Sequence, residues 1–321
     1  MLDRTHATAF PTINAAYNRV FQPGRLSIGL VLPLEAYAVG DRPTLRGHLA
    51  AAQKAEQLGF AALWLRDVPF DVPSFGDVGQ MHDPFVYLGA LASVTDRIAL
   101  GTGSIILPLR HPAHVAKAAA SADVLSEGRM LLGVASGDRP EEYPAMNMNF
   151  PDRGTRFRDS VDYIRALGTP YPTLHNGHGT LTGGIDMLPK PHGSRLPLLI
   201  TGGGQQSPDW VAQNGDGWIT YPRNAAAQGQ IIADYRSRIQ SAGGADKPVM
   251  QSLYVDLLAD PNASPRPIHL GFQAGTDYLR AYLREIEALG VNHVALNLRF
   301  NQAPIDTTLE QLAETVLPDF S

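Results

Sequence analysis

Three consecutive glycines, Gly202, Gly203 and Gly204, close an apolar run and lead through Gln205 and Gln206 into Ser207-Pro208. Glycine lets backbone N–H groups come close to a ligand, and Ser207 before Pro208 is a helix start. The segment can therefore aim a helix N-terminus at a phosphate. It matches neither a Walker loop nor the dinucleotide fingerprint, and many Gly-rich strand-to-helix turns are only tight turns. Arg223, a few residues past the next strand-like run, offers a counter-charge, with a solvated surface arginine as the competing reading. A second feature is the run 128–138, GRMLLGVASGD. Its apolar body ends abruptly in Ala135, Ser136, Gly137 and Asp138, the pattern of a buried parallel strand whose tip opens onto a site. Other strand-like runs end in Arg66-Asp67, Gly103-Ser104, Thr220-Tyr221 and, over 297–299, Asn-Leu-Arg. One such end is ordinary loop chemistry; six together favour a bound ligand. The sequence has no HExxH, no nucleophile elbow and no plausible carboxylate–histidine metal cluster.

The elements that must position these tips alternate. Strands are expected over 26–32, 60–65, 98–105, 128–138, 196–201, 217–220, 249–258 and 293–299. Helical spacing runs over 44–58, 84–94, 113–125, 141–146, 153–167, 208–214, 225–242, 276–289 and 306–317. The long loop before Asp83 carries Phe70, Phe75, Met81 and His82, and its size marks a lid or substrate wall rather than a linker. Residues 1–25 read as an N-terminal extension, 169–191 as an insertion that is irregular or a small hairpin, and 259–270 as a second insertion. Eight strands each followed by a helix imply a parallel sheet, and that count in this length favours a closed α/β barrel, (β/α)8 or TIM type, as one domain over 1–321.

With 44% hydrophobic and 18% charged residues, the 321-residue chain has the composition of an ordinary globular protein. A net charge of -5 with scattered Lys and Arg offers no basic field for nucleic acid. The absence of cysteine excludes disulfides, thiolate metal sites and cysteine nucleophiles. Residues 1–24 contain no apolar core of a signal peptide, and no uninterrupted apolar stretch is long enough to span a membrane. A cytoplasmic protein is the expectation.

The stretches 60–67, 97–112, 126–137 with Glu142-Tyr143, 153–167 and 202–220 resemble the bacterial-luciferase-like flavin monooxygenase superfamily. The most specific parts are RIALGTGSIILP from Arg97 and SEGRMLLGVASG from Ser126; the likeness is good over 26–220 and looser beyond. The family fold is an eight-stranded α/β barrel with insertions, which agrees with the alternation. The resemblance implies a cis Gly103-Ser104 peptide against the flavin ring, with Ala135 and Ser136 beside ring and phosphate. Gly203, Gly204 and Ser207 match phosphate-binding positions, with Trp210 behind them, and Arg66, Gly137 and Gln205 complete the expected cofactor contacts. Some relatives carry arginine where this chain has Ser136, so Arg223 is the candidate cation for the phosphate.

One departure concerns acid/base chemistry. Many relatives have a histidine just after the second strand, where this chain reads Arg66-Asp67-Val68-Pro69. Either Asp67 does proton transfer, or His82 or His111 reaches in, or the chemistry differs; Asp67 could equally be an anchor paired with Arg66, and His111 before Pro112 reads as a helix start. In such enzymes reduced flavin carries the oxygen chemistry while the protein binds it and excludes water. The resemblance thus implies an FMN-dependent monooxygenase acting on a small organic substrate, fed with reduced FMN by a separate flavin reductase and built as a homodimer. The alternatives are a deazaflavin-dependent dehydrogenase or reductase and a non-catalytic flavin-binding protein.

Overall fold

A computed structural model describes residues 9–37, 42–75 and 81–320. Residues 1–8 of the N-terminal extension and 76–80 of the long loop lie outside the described residues. Among the described residues, eight parallel strands close on themselves: β1 (Ser27–Val31), β2 (Ala62–Leu65), β3 (Ala99–Thr102), β4 (Met130–Ala135), β5 (Leu198–Thr201), β6 (Gly217–Thr220), β7 (Val249–Leu257) and β8 (His293–Asn297). Closure is made where β1 pairs with β8, Ser27 opposite His293, and β7 pairs with both β6 and β8. The strands read as continuous apolar runs because both faces are covered, by helices outside and by interlocking side chains inside. The fold is a TIM-type α/β barrel.

The interior is filled from below. Asn14 caps the helix Ala15–Val20, and its Nδ2 donates to Asp123 and to the Met130 carbonyl, while Tyr17 donates its hydroxyl to the Asp216 carbonyl. Phe10, Ile13, Tyr17 and Phe21 join Trp64, Leu131, Leu199 and Ile219 in one apolar cluster, so this segment stoppers the N-terminal end of the barrel. Above it, Trp64 Nε1 donates to His293 Nε2 at 2.8 Å, and His293 Nδ1 meets Ser27 Oγ at 2.6 Å. Burial pushes the His293 ring down to about 3, so it is neutral here, with Nδ1 carrying the proton toward Ser27. Trp64 fits because Gly101 has no Cβ, the place of which is taken by the Trp64 ring. Gly101→Ala is expected to lower stability by about 2 kcal/mol in urea unfolding, since the indole is held by His293 and has no other position.

The helices 153–167 and 208–214 and the strand 217–220 fall where the sequence pattern puts them. Four elements differ. The helix expected over 44–58 starts only at His48, because the Thr44 and Leu45 N–H groups are taken by the Glu35 carboxylate and Leu45 and Gly47 adopt left-handed backbone. The strand expected over 98–105 breaks at a cis Gly103–Ser104 peptide and resumes as Ile105–Ile106, which pairs with β4. The second insertion ends in a hairpin, Arg266–Ile268 with Gly271–Ala274, whose second strand runs parallel to the end of β7. The extension contains the stopper helix, which its mixed composition hid. The first insertion forms the hairpin Thr173–Asn176 with Gly179–Thr182. No helix among the described residues is long and apolar enough to cross a membrane.

Candidate active site

The C-terminal strand tips form one mouth. Gly103 is exposed there, and Ser104 and Ala135 are half-buried. Ser104 Oγ hydrogen-bonds Thr201 Oγ1, tying the tip of β3 to that of β5 on the same side of the mouth. Ser136 is buried, and its carbonyl accepts the Tyr143 hydroxyl. Gly137 leaves room for this: a Cβ would stand 2.7 Å from Ile106 Cγ2 and 2.9 Å from the Tyr143 hydroxyl.

After β5, the strand that pairs with β4, Gly202, Gly204 and Gln205 all adopt left-handed backbone and form a compact turn. Three groups fix it. Trp218 Nε1 donates to the Gly202 carbonyl at 2.8 Å, Gln206 Nε2 donates to the carbonyls of Gly204 and Gly154, and Arg158 donates to Gln206 Oε1. Ser207 caps the helix Pro208–Asn214 by accepting the Trp210 N–H. Gly204 is buried against Phe157, where a Cβ would stand 2.7 Å from Cε1, and the ring of Trp210 packs edge-on to Phe157. Gly203 is exposed, and the nearest atom to the place of a Cβ is the Gln206 carbonyl oxygen at 3.7 Å. Arg223 turns back onto the tip of β6, donating to Thr220 Oγ1 and the Tyr221 carbonyl.

The acid/base candidates separate. Asp67 is buried and accepts two hydrogen bonds from Arg110, from Nε at 3.0 Å and Nη2 at 2.7 Å, plus the Ile106 N–H at 3.0 Å. Its partner is thus Arg110, 43 residues along the chain, rather than Arg66. With both oxygens occupied, Asp67 braces the segment after Ser104. Arg66 instead approaches Tyr37, which burial pushes up while Arg66 and Arg299 oppose the shift. His82 is exposed, its ring edge-on to Tyr87 at 5.2 Å. His111 Nδ1 accepts the Ala113 N–H and so caps the helix Pro112–Leu125, the structural role its place before Pro112 suggests.

Sequence reasoning missed Glu142. Its carboxyl is 1% exposed, neither oxygen has a hydrogen-bond partner among the described residues, and Arg139 Nη1 lies 3.5 Å away. Burial pushes it up to about 7; Arg139 opposes this, and Asp67 and Asp138 add to it. Arg139 is buried too and covers the Phe75 ring at 4.6 Å. Arg110 and Trp218 were also unforeseen. The described residues contain no cluster suited to a metal ion.

Fold and mouth define an α/β barrel with its site at the C-terminal strand ends. The chain belongs to the luciferase-like monooxygenase family, whose model matches residues 26–264. An F420-dependent hydroxymycolic acid dehydrogenase of Mycobacterium tuberculosis is 30% identical over 226 residues, 69% of this chain and 60% of that protein. The monooxygenase RslO1 of Streptomyces bottropensis superposes with a TM-score of 0.77 at 20% identity, covering 92% of this chain and 100% of that one. The oxygenating constituent of 3,6-diketocamphane monooxygenase from Pseudomonas putida, in complex with FMN, superposes at 0.73 with 15% identity, covering 92% and 99%. These two likenesses concern the fold. Dehydrogenases and monooxygenases both occur among the relatives and neighbours, and oxidoreductase is what they share.

Proposed function

We propose that the chain is a flavin-dependent oxidoreductase, acting as a monooxygenase that takes reduced FMN and O2 to a small organic substrate. The observation that carries this reading is the mouth itself, where the exposed Gly103 and the small Ser104 and Ala135, at the tips of β3 and β4, lie beside the glycine turn 202–204 that follows the neighbouring strand β5. A flat ring fits, because the nearest atoms to the place of a Gly103 Cβ belong to Trp64, 3.9 Å below. Ser104, Ala135, Ser136 and Gly137 would hold the ring, with Arg66 beside it, and Gly203, Gly204, Gln205, Ser207 and Arg223 the phosphate. The bound flavin would supply the redox chemistry, and the chain's own residues would bind, orient and exclude water. The reading includes a separate flavin reductase as the source of reduced FMN, a homodimer and a cytoplasmic setting.

A deazaflavin-dependent dehydrogenase is the second reading, favoured by the 30% identity to an F420-dependent enzyme. Titration of the purified protein with oxidised FMN and with deazaflavin, followed by fluorescence quenching, separates the two. Tighter retention of FMN with oxygen uptake from reduced FMN supports the first; selective retention of the deazaflavin replaces it with the second. Binding without turnover over a broad substrate panel leaves a flavin carrier.

Gly203→Val tests the phosphate cradle more cleanly than any change at Gly204. At Gly203 the nearest atom to a new Cβ is the Gln206 carbonyl oxygen at 3.7 Å, whereas at Gly204 the new atom would strike Phe157. The expected result is at least about tenfold weaker FMN binding with stability changed by less than about 0.5 kcal/mol. Unchanged affinity removes the turn from the site.

A further inference from the structure

We infer that a cavity beside the mouth is the substrate pocket, and that it takes an uncharged molecule with a hydrocarbon body and one carbonyl or hydroxyl end. This inference rests on the flavin reading. The cavity has a volume of about 410 Å³, within the usual range for small-molecule pockets. Its lining includes apolar Val68, Leu109 and Met146, and the flexible thioether of Met146 adapts to guests of different shape. The lining also includes polar His82, Asp83 and Arg110.

Charge decides the class of guest. Two carboxylates share one guanidinium here: Arg110 Nη2 reaches Asp67 at 2.7 Å and Asp83 at 3.0 Å, and Nε reaches Asp67 as well. An anionic end would enter beside Asp83, with the local cation already engaged twice, and would be repelled. A carbonyl or hydroxyl meets no such cost. Arg110 Nη1 takes no part in those bonds and can donate, and Asp83 can accept from a hydroxyl. His82 packs edge-on against His48 and Tyr87; the buried Tyr87 hydroxyl has no hydrogen-bond partner among the described residues, and His48 Nε2 lies 3.6 Å from the Glu35 carboxylate. Asp67 joins pocket to mouth, since it lines the cavity and its Oδ2 accepts the N–H of Ile106, two residues past Ser104.

The test compares four probes of one shape on the flavin-free protein by calorimetry: 4-phenyl-2-butanone, 4-phenyl-2-butanol, 3-phenylpropanoate and butylbenzene. The ketone and the alcohol are expected to bind at least about tenfold more tightly than the carboxylate and the hydrocarbon. Met146→Trp, at a position exposed enough to tolerate the larger ring, is expected to weaken the ketone at least about tenfold and to leave FMN binding within about twofold. His82→Ala should weaken the ketone and the alcohol more than butylbenzene. Carboxylate binding equal to that of the ketone, or ketone binding indifferent to Met146→Trp, overturns the inference. FMN binding without ketone binding overturns it alone. Ketone binding that Met146→Trp abolishes, in a protein that ignores both flavins, supports the pocket and overturns the flavin reading instead.

Discussion

Glu142→Gln is expected to become steadily more stable than the parent protein as the pH rises. The parent carboxyl is buried with no hydrogen-bond partner among the described residues, and burial pushes it up to about 7, against an ordinary value of 4.5 that it regains on unfolding. Between those values the folded chain holds a proton that the unfolded chain has lost. The stability this proton contributes is full below about pH 4.5 and disappears as the pH climbs through about 7. The gap corresponds to about 3 kcal/mol. Glutamine has no proton to release, so urea unfolding at pH 5 and pH 8 should show the difference shifting toward the variant by about 2.5 kcal/mol. A flat difference would mean that Arg139, 3.5 Å away, already holds an ionised carboxylate.

Asp67→Asn is expected to cost about 3 kcal/mol, because it removes one partner of a buried, doubly hydrogen-bonded ion pair and leaves Arg110 with Asp83 alone. The Ile106 N–H loses a charged acceptor at the same time, so the segment after Ser104 should loosen and flavin affinity should fall with stability. Arg110→Gln in the same background should recover at least about 1 kcal/mol by removing the unmatched charge. A proton-transfer role would give another pattern, with turnover lost while unfolding and flavin binding stay as in the parent. Equilibrium unfolding and flavin titration of the two variants decide between bracing and chemistry.

The barrel was legible because its signals are local. Strand bodies such as 130–135 are apolar throughout, and helix starts such as Ser207-Pro208 announce themselves within two residues. Pairings across the fold carry no such mark. Nothing near Asp67 points to Arg110 rather than to the adjacent Arg66, since the choice depends on where the loop after β3 returns. Glu141-Glu142 at the start of a short helix reads as solvated charge, and nothing local says that Glu142 is the one that ends buried 3.5 Å from Arg139. Trp218 looks like a core residue; its indole N–H finds the Gly202 carbonyl because β5 and β6 are neighbours. The stopper helix is six residues long and draws its order from partners far along the chain, beyond the reach of any window of sequence.

That last feature bears on how the molecule assembles. Asn14 waits for Asp123 and the Met130 carbonyl, 109 and 116 residues downstream, and Tyr17 waits for the Asp216 carbonyl, 199 residues downstream. During synthesis the earliest of these pieces is made first and can settle only after two-thirds of the polypeptide has emerged, which makes its docking a late, slow closure of widely separated contacts. A bulky fusion placed just ahead of residue 9 would hinder that final insertion, and the defect would show as a lower yield of native protein rather than as an altered mouth.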